Sequence, residues 1–225
     1  MKFSSITRSQ FILAAALLSA STALGARDLG TIDVPGDKAI GVKVTANSPD
    51  MQKLAQQAFS THGRYDLRAR VPSYEIRFTS LGPTQVKVDV TRTTGGPAVL
   101  SQAVSGTSAR NALLRAADAV VEKTSNQNLK GFFASQLAFV ITQRGNKGDV
   151  YVSDLYLGGA ANVTQRNSHT LMPRWSPDGR RVIYTSYFNS GAPDIFTVDP
   201  TNGQKNIFAN FRWTNMGARF SPNGQ

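Results

Sequence analysis

The sequence predicts a small α/β domain followed by the opening of an all-β propeller. Three observations predict it. First, a stretch near the C-terminus repeats without a gap at a spacing of 45 residues. Trp175-Ser176-Pro177-Asp178-Gly179 returns as Phe220-Ser221-Pro222-Asn223-Gly224, Asp149-Val150-Tyr151-Val152 as Asp194-Ile195-Phe196-Thr197, and Ala138-Phe139 as Ile183-Tyr184. A period of about 40–45 residues that holds strands and turns but no helix is that of a propeller blade. Second, residues 74–90 alternate apolar and polar side chains, as half-buried strands do. Third, two apolar stripes at helical spacing flank those strands, each behind a capping serine. A β-sandwich is the competing fold, but matches at both ends and in the middle of the repeat disfavour it.

Taken in order, residues 1–25 carry Lys2 and Arg8 without an acid, then the apolar run Phe11 to Ala20, then Ala23-Leu24-Gly25. Small residues at that spacing after a short apolar run mark a secretory signal peptide. The run is about half the roughly 20 residues that a membrane span needs. Residues 26–37 form a polar arm, and residues 38–127 the α/β domain. Ala39 to Val44 is its first strand. Ser48 caps the following helix, Pro49 suits the first turn, where its missing N–H costs nothing, and Asp50 favours the positive end of the dipole. Met51, Leu54, Ala55 and Ala58 share one face, and Gly63 can end the helix. Tyr74 to Phe78 and Val86 to Val90 are strands, Ala98 to Val104 a weaker third, with Gly82-Pro83 and Gly95-Gly96-Pro97 as turns. Ser108 caps a second helix whose stripe is Leu113, Leu114, Ala117, Val120 and Val121. This order, β-α-β-β-β-α, suits two helices packed on one face of a small sheet.

Residues 128–135 are expected to connect this domain to the propeller, residues 136–225. Within one repeat, Met172 to Ser176 is the inner strand, Arg181 to Tyr187 the second, Asp194 to Asp199 the third and Gln204 to Ala209 the fourth. Pro177 presets the first corner of a turn and Gly179 takes the positive dihedral that follows; Asn202-Gly203 suits a tight hairpin. The first blade has no inner strand of its own.

The chain has 25 basic residues, 14 acidic and no cysteine. Loss of residues 1–25 would remove Lys2 and Arg8 and leave 23 basic against 14 acidic, a net +9. Such a charge favours acidic partners, but the basic residues are scattered, and a solvated basic surface accounts for them. An exported chain without cysteine depends on core burial and sheet pairing in place of disulfides.

Catalytic arrangements are not found. The two histidines, His62 and His169, have no second ligand at metal spacing. His62 is expected on the surface at the end of the first helix, and His169 in a loop suited to a binding face. No serine sits in a nucleophile elbow, and Gly95-Gly96 and Gly158-Gly159 are turns, not phosphate loops. Asp154, Asp178 and Asp199 are expected as strand-end and turn residues. The sequence therefore points to a binding protein without cofactor or metal. The loops Arg166 to Leu171 and Phe211 to Gly217 lie one period apart and should sit on one face, presenting His169, Leu171, Arg212, Trp213, Thr214, Asn215 and Met216. An exposed Trp beside Arg and Met is the mixture found at interface hot spots. The other expectation for Trp213 is packing against a neighbouring blade.

Pro173-Arg174-Trp175-Ser176-Pro177-Asp178-Gly179-Arg180 with Val182 to Ser186, and Asp194 to Asp199 with Asn202-Gly203, resemble the blade repeat of the TolB family, the periplasmic propellers of the Tol–Pal system. Leu129-Lys130-Gly131-Phe132-Phe133-Ala134-Ser135-Gln136-Leu137-Ala138-Phe139-Val140 is similar to the segment that enters that family's first blade. The resemblance is strong after Leu129 and loose before it. It implies a six-bladed plan, of which this chain holds about two, and hence a partial sequence lacking roughly 180 residues at this period. It implies a non-enzymatic periplasmic scaffold that supports outer-membrane integrity and constriction during division. The loop face is implied to bind the peptidoglycan-associated lipoprotein Pal. The segment after the signal peptide, with Asp28, Leu29, Thr31, Ile32 and Asp33, is implied to contact TolA. Two alternatives stay open: an exported propeller that binds cell-wall glycan, or one that caps a peptidase domain.

Overall fold

The computed structural model describes residues 39–125, 129–143 and 145–224. The signal peptide and the arm, including Asp28, Leu29, Thr31, Ile32 and Asp33, lie outside the described residues. Ala39–Gln225 forms one unit.

Its first half is a mixed sheet with two helices. Strand β1 (Ile40–Ala46) leads into helix α1 (Pro49–Thr61), followed by β2 (Tyr65–Asp66), β3 (Tyr74–Gly82), β4 (Gln85–Arg92), β5 (Leu100–Ser105) and helix α2 (Ala109–Thr124). The strand order is β2-β1-β3-β4-β5, with β1 parallel to β2 and β3 and the remaining pairs antiparallel. Both helices begin where the capping serines predict: Ser48 Oγ accepts from the Met51 amide and Ser108 Oγ from the Asn111 amide. Each cap satisfies a backbone donor that the first turn leaves unpaired. Gln52 then ties α1 to β1, donating to the Val44 carbonyl at 2.9 Å and accepting from the Ala46 amide at 2.6 Å.

Alternation in β3 and β4 decides which face is buried. Tyr74, Ile76, Phe78, Val86, Val88 and Val90 turn toward Leu54, Phe59, Leu113, Leu114, Val120 and Val121 of the helices. The opposite face is polar, with Lys43 paired to Glu75 at 3.1 Å and Lys87 to Asp89 at 3.0 Å.

Two expectations change here. Helix α1 ends at Thr61, and it is His62, in an extended conformation, that closes it. Nor is His62 a surface residue, being only 9% exposed. Phe132 stacks on it at 5.3 Å, and Tyr65 and Phe133 meet it edge-on at 5.1 and 5.6 Å. That burial disfavours the imidazolium and lowers its pKa. Phe132 and Phe133 lie about 70 positions downstream, in the segment expected only to connect (Phe133 is buried within the α/β core). The Asp118 carboxylate of α2 holds this segment, accepting from the Phe133 amide at 2.7 Å and the Ala134 amide at 3.1 Å. Gly131 permits the approach, since a Cβ there would lie 2.3 Å from the Asp118 Cα.

The second half consists of two antiparallel sheets. Strands β6 (Gln136–Thr142), β7 (Gly148–Asp154) and β8 (Ala161–Asn162) form the first. Strands β9 (Thr170–Trp175), β10 (Val182–Ser186), β11 (Asp194–Val198) and β12 (Lys205–Ala209) form the second, in the order β12-β11-β10-β9. At the repeat spacing β6, β7 and β8 correspond to β10, β11 and β12. The first sheet has no counterpart of β9 among the described residues. Val150 and Val163 of the first sheet region pack with Val182, Tyr184, Phe196 and Val198 of the second.

The innermost strand begins two residues earlier than predicted. Thr170 already pairs with Ser186 and Leu171 with Thr185, and a register shift then precedes the Ile183–Arg174 pair. Met172, at φ 54°, sits at this irregularity, where an extra residue bulges out of the ladder. Gly179 and Gly203 take the positive φ that their turns require, at 69° and 71°.

Candidate functional site

The two loops one period apart both anchor at the C-terminal end of β10, one on Tyr187 just past it and the other on Thr185 within it. The His169 carbonyl accepts from the Tyr187 amide at 3.0 Å, and the His169 ring stacks on Tyr187 with centroids 4.9 Å apart. The Gly217 amide donates to Thr185 Oγ1 at 3.3 Å, and the Asn215 amide to the Pro193 carbonyl at 2.9 Å. A Cβ on Gly217 would lie 3.9 Å from the Met172 sulfur, so the second loop runs beside the bulge in β9.

Within that arrangement the candidate residues separate. Leu171 is half-buried within β9, not in the loop, and His169 is half-buried against Tyr187. Asn215 is structural: its side-chain amide donates to the carbonyls of Phe211 at 2.7 Å and Trp213 at 3.2 Å. Arg212, Thr214, Trp213 and Met216 face solvent, Trp213 at 78% exposure. The Arg212 guanidinium lies over the Trp213 ring at 5.2 Å from its centroid, a cation–π pair that pre-sets both side chains. Such a pair offers a flat apolar surface with a positive rim, suited to an acidic partner carrying apolar side chains.

The repeated acids hold turns. Asp154 accepts from the amides of Tyr156 and Gly158, Asp178 from that of Arg180, and Asp199 from that of Thr201. Asp154 also pairs with Arg110 of α2, joining the first sheet to the α/β layer. Burial pushes its pKa up, but Arg110 and the turn amides outweigh burial and hold it below the ordinary value.

Asp149 was missed as a positioning residue. Its carboxylate is buried and accepts from Thr164 Oγ1 at 2.7 Å, the Arg166 amide at 2.7 Å, the Asn167 amide at 3.1 Å and Asn162 Nδ2 at 3.2 Å. Burial alone would raise its pKa; these donors reverse the direction and keep it ionised. The carboxylate thus shapes the loop that enters β9. The signal was present, since Asp149 and Asp194 recur at the repeat spacing at the heads of apolar strands. Their partners differ, however. Asp194 accepts instead from the Ser190 hydroxyl at 3.0 Å and the Asn189 side chain at 3.4 Å.

Among the described residues, no group of three or more His, Cys, Asp or Glu side chains is placed to hold a metal ion. No described helix is long and apolar enough to cross a membrane. A 45-residue repeat of strands and turns, with acids that cap the turns, defines a propeller-type segment. Comparison with known proteins gives the particular kind. Residues 123–225 match a family model described as the TolB beta propeller domain. The protein of Aromatoleum aromaticum called Tol-Pal system protein TolB is 27% identical over 189 residues, covering 84% of this chain and 39% of its own length. The protein of that name from Dechloromonas aromatica is 32% identical over 158 residues, covering 70% of this chain and 32% of its own length. The crystal structure of TolB from Acinetobacter baumannii superposes with a TM-score of 0.67 at 18% identity, over 84% of this chain and 54% of that one. At that identity the superposition speaks for the fold alone. Residues 123–225 are thus similar to the TolB propeller domain, and the resemblance expected from Leu129 onward is borne out. The chain spans between 32% and 39% of the length of these two curated relatives.

Proposed function

We propose that the chain is part of a periplasmic, non-enzymatic scaffold of the Tol–Pal type. It would be exported by residues 1–25, with an arm at 26–37, an α/β domain at 38–127, a connector at 128–135 and the first of six blades from 136. The scaffold binds a Pal-like lipoprotein through the β10-anchored loops and a TolA-like inner-membrane protein through Asp28, Leu29, Thr31, Ile32 and Asp33. Linking the two supports outer-membrane integrity and envelope constriction during division. The mechanism is docking on a rigid frame, without bond chemistry.

The observation that carries this is the exposed Arg212–Trp213 pair on a loop pinned at Asn215 and Gly217, within a stretch that matches the TolB propeller domain. A pinned loop loses little conformational freedom on binding, so its contacts convert more fully into affinity. The test is calorimetric titration of the chain with the soluble domain of a Pal-like lipoprotein. Trp213→Ala should weaken binding by about 2 kcal/mol, the hot-spot range. Unchanged affinity in Trp213→Ala and Arg212→Ala would remove the loop face, and capture by purified peptidoglycan alone would favour a glycan-binding propeller. Deletion of residues 27–33 should abolish TolA capture and leave Pal capture intact.

A further inference from the structure

A cavity of about 140 Å³ lies where the first sheet meets the second, lined by Thr164 and Arg166 on one side and by Tyr184, Phe196, Phe188 and Ile207 on the other. We infer that it is a binding site for a carboxylate on a short apolar stem, with Arg166 and Tyr184 as the groups that hold the anion.

Size sets the class of ligand. Apolar cavities near 150 Å³ admit a molecule about as large as benzene, well below the usual span of cofactor sites. Charge sets its sign, because the lining holds two cations, Arg166 and Lys205, and no acid. The nearby Asp149 carboxylate is already taken by Thr164, Asn162 and the Arg166 and Asn167 amides, and competes little for the guanidinium. No ion pair to Arg166 is found among the described residues. Its guanidinium lies 4.2 Å from the centroid of the Phe188 ring, and a guanidinium suits a planar, two-point partner.

Tyr184 supplies the independent observation. It is only 4% exposed and its ring is stacked on Phe196 at 5.6 Å. No hydrogen bond to its hydroxyl is found among the described residues, and Tyr184 lines the cavity. Burial pushes its pKa up to about 12, so the hydroxyl is a donor at every physiological pH. A donor and a cation that line the same cavity as Phe196 and Ile207 complement an anion with an apolar tail. Arg166 opens the first of the two proposed docking loops, whereas Trp213 lies outside the cavity lining, so benzoate titration of Trp213→Ala tests this site apart from the docking proposal.

The same chemistry can arrive as a free acid or as the side chain of a polypeptide, and the probes separate the two. The full chain, labelled with ¹⁵N, is titrated with benzoate, with neutral benzamide, and with N-acetyl-glutamate amide. Benzoate should produce saturable shifts at Arg166, Tyr184 and Phe188 with a Kd on the order of millimolar, and benzamide should bind at least about tenfold more weakly. Arg166→Gln should weaken benzoate about tenfold or more, and Tyr184→Phe about three- to tenfold, with the remaining resonances unmoved. Shifts from the blocked glutamate alone would keep the site and assign the carboxylate to a polypeptide. No saturable shift with either acid, equal binding of benzamide, or an unaffected Arg166→Gln would overturn the inference.

Discussion

Strands β3 and β4 bury alternate residues, from Tyr74 to Phe78 and from Val86 to Val90, whereas β10 and β11 are buried at every position. In the α/β layer the sheet has one covered face, under α1 and α2, and its other face meets water through Lys43, Glu75, Lys87 and Asp89. In the second blade sheet, Tyr184 and Phe196 face the first sheet, while Ile183, Thr185, Ile195 and Thr197 turn the other way and are buried too. The segment after β12 contributes to that second cover, with the Gly217 amide on Thr185 and Arg181 over the Phe220 ring at 5.4 Å. Alternation therefore reports a sheet with one wet side and vanishes from a sheet covered twice. That is why the blades announce themselves by their period and turns.

The largest expected effect falls in the layer with its own core. Phe78→Ala should cost about 3–5 kcal/mol in urea unfolding, because the fully buried ring leaves a cavity among Phe59 and the helix side chains. A cost below about 1 kcal/mol would mean that the two-helix core is not the main source of stability. Next comes the acid that shapes the first blade. Asp149→Asn should cost about 2–3 kcal/mol and raise hydrogen exchange at the Arg166 and Asn167 amides, without disturbing the α/β strands. The sign of its pH dependence follows from the lowered pKa. The contribution is fully present above the ordinary value of 3.8 and is lost as pH falls through the lower folded value. In Asp149→Asn that part of the acid sensitivity should be gone.

A smaller effect belongs to the seam between the regions. Arg110→Ala removes the pairing with Asp154 from a side chain that is 39% exposed, so the loss should be about 1 kcal/mol or less and should shrink in high salt. A loss that is large and independent of salt would show that the seam is held by desolvated charge. Smallest of all, Trp213→Ala should change stability by less than about 0.5 kcal/mol, since the ring is 78% exposed. Substantial destabilisation there would place Trp213 among structural residues and weaken its assignment to a docking face.

Much of the fold was legible from local chemistry. Ser48 and Ser108 cap the helices as their neighbours predict, Gly179 and Gly203 take the positive φ of their turns, and the strands of the second sheet begin and end within two residues of the expected positions. The bulge at Met172 was not legible, because it depends on the register against β10 and not on any residue type that demands it. The candidate loops were visible through the repeat. Which of their side chains face outward was not, since the inward turn of Asn215 follows from carbonyls that only the folded loop presents.

The sequence by itself determined the period, the caps, the turns and the stripes, because each is a preference expressed over a few neighbouring residues. Tertiary structure alone decided that His62 is enclosed by Phe132 and Phe133, that Asp149 gathers four donors from residues 162–167, and that Arg110 reaches Asp154. It also decided that Tyr184 faces a cavity shared with Arg166. Each of these joins groups far apart along the chain, and their effects on charge and burial exist only once packing has removed the water between them.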